Sequence, residues 1–420
     1  MFDSILVPLL GNSLLRRHSV QHSRRRLEKA RGFRKIVVLP DIHIGDSIMM
    51  QAAVSALRDF FPDAEIDYVV KKTVTGLIEG NPEISCLIPL FTGATMPVES
   101  DLRGLKALLS ARGYDVCINF NPFLGDGPLF PPNLAVIHFV DHVSFLVWNE
   151  FHPTAPNHFL YQAHRFIHDL LSAFFSPRRA GAFTGVPLNL AEDAAEETER
   201  FLKANDLFDG SPFLLYNPDA ASPFSRLPFS QQVELLSRLT DLSRPILVGA
   251  GHSEKNIGVR LRDALPPERR REIRIIPPTL RLEAYSVLID CASAFISGDT
   301  GPLHAGAARK VSPSLSRAFR NRTAIYCLFG ATPARMSGYD SSRRGFLPAN
   351  QDAPSHAYVA GSPCRNITCA NKMYKTCKTV RCFESMDLEA LVSDIRAETD
   401  ASTPSQNRRG EIRVMTNAPR

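Results

Sequence analysis

No stretch of about 18 consecutive apolar residues occurs in this chain, so no membrane-crossing helix is expected. The longest candidate, Ala135 to Phe151, is interrupted by His138, Asp141, His142 and Asn149. The first ten residues are apolar, but the basic residues follow them, the reverse of a secretory leader. The chain is therefore expected to stay in the cytoplasm. No Asp-x-Asp pair is present, which removes a common carboxylate clamp for a divalent cation. No G-x-G-x-x-G string is present either. Gly249-Ala250-Gly251 lacks the third glycine, which weighs against a dinucleotide fingerprint.

What is there reads as ordinary globular protein. Of 420 residues, 44% are apolar and 22% charged, enough for about two domains with cores of their own. A net charge of +6 is too mild to imply a nucleic-acid partner. Much of it sits in one place: Arg16, Arg17, Arg24, Arg25, Arg26, Lys29, Arg31, Arg34 and Lys35 are opposed only by Glu28. That segment is either a solvated, partly helical arm or a surface for anionic inner-leaflet lipid, which would make the protein peripheral on the inner membrane face. Cys86, Cys117, Cys291 and Cys327 lie in apolar surroundings and read as small core residues. Cys364, Cys369, Cys377 and Cys382 cluster late, with two equal spacings around a basic stretch. They read either as a four-thiolate zinc or iron site or as unligated thiols or a disulfide.

From Lys35 onward, short β-rich runs alternate with longer helical ones. Strands are expected near 35–40, 66–70, 86–90, 115–120 and 135–140, with helices at 45–61, 73–79, 102–112 and 157–175. The pattern breaks at 176–186, rich in Pro, Gly and Arg, and an acidic helix follows at 191–204. It then restarts, with strands near 213–216, 245–250, 273–276, 294–297 and 323–329. Helices are expected at 230–242, 253–265, 282–289, 302–309 and 387–399. Apolar strands alternating with helices imply parallel sheets covered on both faces. The expected organisation is a basic arm (1–32), a Rossmann-like domain (33–186), a linker (187–212), a second Rossmann-like domain (213–398) and a polar tail (399–420). Two such α/β domains leave a cleft at the carboxyl ends of their strands, where ligands bind in doubly wound folds.

Three strings at strand ends carry chemistry. In His43-Ile44-Gly45-Asp46-Ser47, Gly45 permits a tight turn and Asp46 begins a helix at the carboxyl edge of the first sheet. Asp46 is either a helix N-cap, which aspartate favours, or a catalytic carboxylate. Ser297-Gly298-Asp299-Thr300-Gly301-Pro302-Leu303-His304 ends a strand and starts a helix whose free amides suit a pyrophosphate. Its alternative is a capped βα turn. Asn217-Pro218-Asp219-Ala220-Ala221-Ser222, with Ser225-Arg226-Leu227-Pro228-Phe229 behind it, offers small residues for a phosphate and Arg226 for its charge, or is an ordinary loop.

Together these strings resemble glycosyltransferase family 9, the lipopolysaccharide heptosyltransferases, over residues 33–395. The resemblance runs from KIVVLPDIHIGDSIMMQAAVSALRDFFPDAEIDYVV through NPDAASPFSRLPFSQQVELL and VGAGHSEKN to SGDTGPLHAGAA and CLFGATPARMSGY. It implies a GT-B arrangement, two Rossmann-like doubly wound domains facing across a cleft. It also implies sugar transfer with inversion and without a required metal or cofactor. Asp46 matches the family's general base. Asp299, Thr300, Gly301, Leu303 and His304 match its donor-binding loop, and Glu254 falls near its ribose-contacting acid. Ser222 and Arg226 join them as donor-binding candidates. Where family members often carry Lys-x-Trp-Pro, this chain has Ser225-Arg226-Leu227-Pro228, and a basic stretch, 310–322, expands a connection that is usually short.

The function so implied is transfer of heptose from ADP-heptose to a glycan or lipid-linked glycan such as lipopolysaccharide core. Two alternatives stand beside it: a GT-B-like nucleotide-sugar epimerase or hydrolase, and a non-catalytic nucleotide-binding scaffold. Asp46 is expected to work at an ordinary aspartate pKa of roughly 3.9, ionised at neutral pH without special tuning.

Overall fold

Four apolar residues follow a lysine in Lys35–Leu39 (β1), and all four are fully buried. Successive side chains of a strand point to opposite faces. Ile36 and Val38 accordingly enter one apolar core, and Val37 and Leu39 another. A strand wanted on both faces belongs in a covered parallel sheet. The computed structural model describes residues 25–28, 30, 32–93, 96–121, 123–124, 128–139, 158–179, 183, 185–208, 210–251, 256–312, 323–330, 337–339, 355–359 and 381–401.

After β1 come Ile44–Met49 (α1), Gln51–Phe60 (α2), Glu65–Lys71 (β2), Thr75–Ile78 (α3), Cys86–Phe91 (β3), Glu99–Arg112 (α4), Val116–Asn119 (β4), Ala135–His138 (β5) and Phe159–Leu171 (α5). The strands form a parallel sheet in the order β3-β2-β1-β4-β5, with Val38 opposite Tyr68 on one side and Ile118 on the other. The single helix expected over 45–61 is two segments that meet at Met50.

The second half contains Glu192–Ala204 (α6), Leu214–Asn217 (β6), Phe229–Thr240 (α7), Ile246–Gly249 (β7), Ile257–Ala264 (α8), Pro267–Arg270 (α9), Ile273–Ile276 (β8), Leu282–Cys291 (α10), Ala294–Gly298 (β9), Gly301–Lys310 (α11), Ala324–Phe329 (β10), Ser355–Val359 (β11) and Leu388–Ala401 (α12). Its sheet is also parallel, ordered β11-β10-β9-β6-β7-β8. Neither α9 nor β11 is visible in the sequence pattern. SHAYV holds too few aliphatic residues to stand out from its polar surroundings, and pairing with β10 is what makes it a strand.

The strands divide their side chains between two cores here as well. Leu215, Leu247, Phe295 and Ile325 face the core that also holds Ile36 and Val38. Leu214, Tyr216, Ile246, Val248 and Ile296 face a separate core capped by Leu391 and Ile395 of α12. One apolar mass therefore runs continuously between the two sheets. Thr198 of α6 donates to the Ala284 carbonyl at 2.8 Å, fastening α6 to α10. Arg309 and Asp290 form an almost completely buried ion pair at 2.9 Å. A second Arg309 nitrogen donates to the Leu188 carbonyl at 2.6 Å, tying the chain before α6 to α11.

Part of the basic N-terminal segment is held against the first sheet: Arg26 donates to the Val136 carbonyl at 2.9 Å, and Leu27 is buried. Among the described residues no helix is long and apolar enough to cross a membrane. Cys117 and Cys327 are buried free thiols in the apolar cores, as their surroundings suggested.

Candidate functional site

In an open parallel sheet the crevice lies where the strand order reverses, outside the carboxyl ends. In the first sheet the order reverses between β1 and β4, and in the second between β6 and β9. The three strings read from the sequence follow β1, β6 and β9, so all three open at these two reversals. The turns after β1 and β9 also touch. A β-carbon on Gly45 would run into the His304 ring at Cδ2, and one on Gly301 would stand 2.6 Å from Ile44 Cβ. Glycine is required at both places because two helix starts, α1 and α11, meet there.

On the first side, Asp46 is the third residue of α1, and His43 occupies the N-cap position without a capping side-chain bond. The N-cap reading of Asp46 therefore does not hold. The turn is fixed by Ser47 Oγ donating to the Asp41 carbonyl at 3.0 Å and Tyr68 Oη donating to the Ser47 carbonyl at 2.8 Å. Asp41 accepts from the Ile42 amide at 2.6 Å and lies 3.1 Å from His43 Nδ1. Desolvation, helped by the charges of Asp41 and Asp299, pushes the Asp46 carboxyl up to about 7, against the opposing pull of His43 and His304. The expectation of an ordinary aspartate pKa is thus corrected, because sequence position says nothing of burial or of a second carboxylate nearby. His43 is raised in turn, chiefly by its hydrogen bond to Asp41.

On the second side, Asn217 organises the turns. Its Nδ2 lies 3.1 Å from Ser297 Oγ, 3.0 Å from Thr300 Oγ1 and 3.1 Å from the Asp219 carbonyl, and Ser297 and Thr300 hydroxyls are 2.9 Å apart. A β-carbon on Gly298 would strike the Ser225 carbonyl, so the β9 turn and the 225–226 loop are in close contact. Arg226 donates to Asp219 Oδ1 at 2.8 Å, so its charge is shared with a buried carboxylate before any ligand arrives. Ser222 Oγ accepts from the Phe224 amide at 3.3 Å and caps the short helical turn there.

Between the two sides lies a row of rings. His304 is buried, with Nε2 3.5 Å from Asp299 Oδ1 and Nδ1 2.9 Å from Tyr339 Oη. The Tyr339 ring packs at 4.8 Å against His158, the N-cap of α5 in the first half.

The fold therefore brings Asp46, Asp299, Thr300, Gly301 and His304 to one place, with Ser222 and Arg226 at the neighbouring turn. Leu303 turns its side chain into the apolar core. Glu254 lies outside the described residues, as do Cys364, Cys369 and Cys377, while Cys382 is buried in the core beneath α12. Among the described residues, Asp41, His43 and Asp46 are a group whose donor atoms, within 4.8 Å of one another, could reach a shared cation. Asp41, His158 and Tyr339 escaped sequence reasoning. His158 precedes an apolar helix and looks like a cap, and Tyr339 lies in a string whose partners are far away in sequence.

Residues 164–315 match the model of glycosyltransferase family 9 (heptosyltransferase). The chain is 24% identical over 294 residues to lipopolysaccharide heptosyltransferase 3 of Escherichia coli K12, covering 69% of this chain and 80% of that protein. Its fold is similar to a family 9 glycosyl transferase from Veillonella parvula, with a TM-score of 0.60 and 15% identity over 88% of this chain and 98% of that one. It is also similar to the E. coli ADP-heptose lipopolysaccharide heptosyltransferase II, with a TM-score of 0.54 and 15% identity over 87% and 99%. These folds are of the GT-B type, matching the two facing parallel sheets. Over residues 164–315, then, the chain matches glycosyltransferase family 9, and over about two thirds of its length it is similar to lipopolysaccharide heptosyltransferases.

Proposed function

We propose that this protein transfers a heptose from ADP-heptose to a hydroxyl of lipopolysaccharide core, inverting the anomeric centre without a metal. The observation that carries the reading is the meeting of Asp46 with the Asp299–His304 turn at two facing sheet reversals. The family assignment and the names of the relatives supply the sugar, the nucleotide and the acceptor class.

In this reading the donor diphosphate lies at the start of α11. The positive end of the α11 dipole favours negative charge there. Asp46 takes the proton from the acceptor hydroxyl as its oxygen bonds to the anomeric carbon. The bond from that carbon to the diphosphate breaks, and the nucleotide leaves with the electron pair. Attack from the face opposite the leaving group inverts the centre. A carboxylate titrating near 7 is well matched to this task, because it remains basic enough to accept a proton yet is substantially ionised at neutral pH. The acceptor binds the first half, and the work is done at the cytoplasmic membrane face, with the basic N-terminal segment near anionic lipid.

The test has two steps. A thermal-shift screen against ADP-, GDP-, UDP- and dTDP-sugars identifies the nucleotide, because a ligand bound only by the native state stabilises it. Mass spectrometry of truncated lipopolysaccharide incubated with the selected donor then shows whether sugar is added. ADP-heptose is expected to stabilise the protein and to give one added heptose. Turnover of donor with no acceptor product would favour the epimerase or hydrolase reading, and binding without turnover the scaffold.

A further inference from the structure

We propose that Tyr339 is a positioning residue for the donor site, holding His304 in the tautomer whose hydrogen is on Nε2. Three observations carry this. His304 is buried and its Nδ1 lies 2.9 Å from Tyr339 Oη. Its Nε2 lies 3.5 Å from Asp299 Oδ1 and is the nitrogen that faces Gly45, in the turn carrying Asp46. The Tyr339 ring is set by His158, which reaches it from the opposite half of the molecule.

The direction of the His304–Tyr339 hydrogen bond follows from what each group can do. A neutral imidazole donates through one nitrogen and accepts through the other. The Asp299 carboxylate only accepts, so its position 3.5 Å from Nε2 favours a hydrogen on that nitrogen. If Tyr339 were the acceptor, a bare Nε2 lone pair would face Asp299 with Asp46 close behind. The phenol can donate throughout the working pH range, because burial pushes its ionisation far above the ordinary tyrosine value. Tyr339 Oη–H therefore donates to Nδ1, and Nε2–H points toward the crevice between Asp299 and the Asp46 turn. His158 adds no charge to the row: burial pushes it down to about 3, leaving it neutral.

On the donor reading given above, that N–H is aimed at the phosphate end of the nucleotide sugar. Tyr339 touches no substrate. It acts by keeping the donor hydrogen on the correct nitrogen, and it does so only when the first half, through His158, holds the tyrosine ring in place. The two facing halves thus meet in the tautomer of one histidine.

Nitrogen-15 NMR of histidine-labelled, ligand-free protein reads the tautomer, with His304 assigned by comparison with His304→Gln. The wild type is expected to show a protonated Nε2 and a bare Nδ1. Tyr339→Phe keeps the ring and removes only the hydroxyl, and it is expected to give a mixture or the reversed tautomer. Titration with ADP should show about a tenfold weaker Kd in Tyr339→Phe, the scale of one hydrogen bond to a charged group. A bare Nε2 in the wild type, or the same tautomer in both proteins, overturns the proposal. A changed tautomer with unchanged ADP affinity overturns its donor role. If the wild type binds no nucleoside diphosphate, the functional reading and that donor role fail, and the NMR result still decides whether Tyr339 sets the tautomer.

Discussion

Gly45 and His304 stand 259 positions apart in the chain, and any β-carbon at position 45 would occupy the space of the His304 ring. The imidazole has little freedom to retreat, because it is buried and bonded to Tyr339. Gly45→Ala is therefore expected to fold with a loss of about 1–3 kcal/mol, the usual cost of overpacking. Displacement of His304 and α11 is expected to cut turnover by at least about tenfold, since small misplacements in a site are costly. Thermal unfolding and steady-state rates check both, and turnover within twofold of the parent would show that the contact does not matter to the chemistry.

Asp46→Asn separates catalysis from structure. Its turnover is expected to fall at least ~100-fold, the scale of a lost general base, with donor affinity kept. In the parent, the rate should rise as pH passes through about 7, because only the ionised carboxylate accepts a proton. Retained turnover in the amide variant would remove Asp46 from the mechanism.

The same carboxyl makes a prediction about stability, and its sign is opposite to that of a paired carboxylate. Its folded pKa of about 7 lies above the unfolded value of roughly 3.9, so the native state prefers the neutral form. Stability is lost as pH rises from about 4 through about 7. Asp46→Asn should therefore melt higher than the parent at pH 8, and the gap should close toward pH 4. Parallel melting curves at several pH values decide this, and a gap independent of pH would contradict the raised pKa of the half-buried carboxyl.

Transfer is expected to persist in excess EDTA, with the dipole of α11 and the Arg226 region favouring the leaving diphosphate. The grouping of Asp41, His43 and Asp46 makes this a sharp test. Activity lost to chelator and restored by Mg²⁺ or Mn²⁺ would mean that a cation is required after all.

Two truncations distinguish a lipid-binding arm from a structural one. Removal of residues 1–24 is expected to weaken binding to anionic vesicles, in a salt-dependent way, while leaving turnover of soluble substrates unchanged. Removal of residues 1–31 also takes away Leu27 from the core and the Arg26 bond to Val136, so this longer truncation should lower the melting temperature. Vesicle binding that ignores salt, or that survives the short truncation, would count against the arm.

Much of the fold was legible in the chain itself. KIVVL announces a strand buried on both faces, because hydrophobicity on successive residues can be satisfied only between two covering layers. Gly45-Asp46 and the Asp299–His304 string announce turns at strand ends, because glycine and proline constrain the backbone locally. Those effects act over a few residues, so sequence order suffices to express them. Register, the pairing of SHAYV with β10, the sharing of Arg226 with Asp219 and the row from His158 through Tyr339 to His304 depend on which distant segments become neighbours. The pKa of Asp46 belongs to this second class as well. An aspartate in a sequence has only its intrinsic acidity, whereas loss of water and the approach of Asp41 and Asp299 exist only after the chain has folded around it.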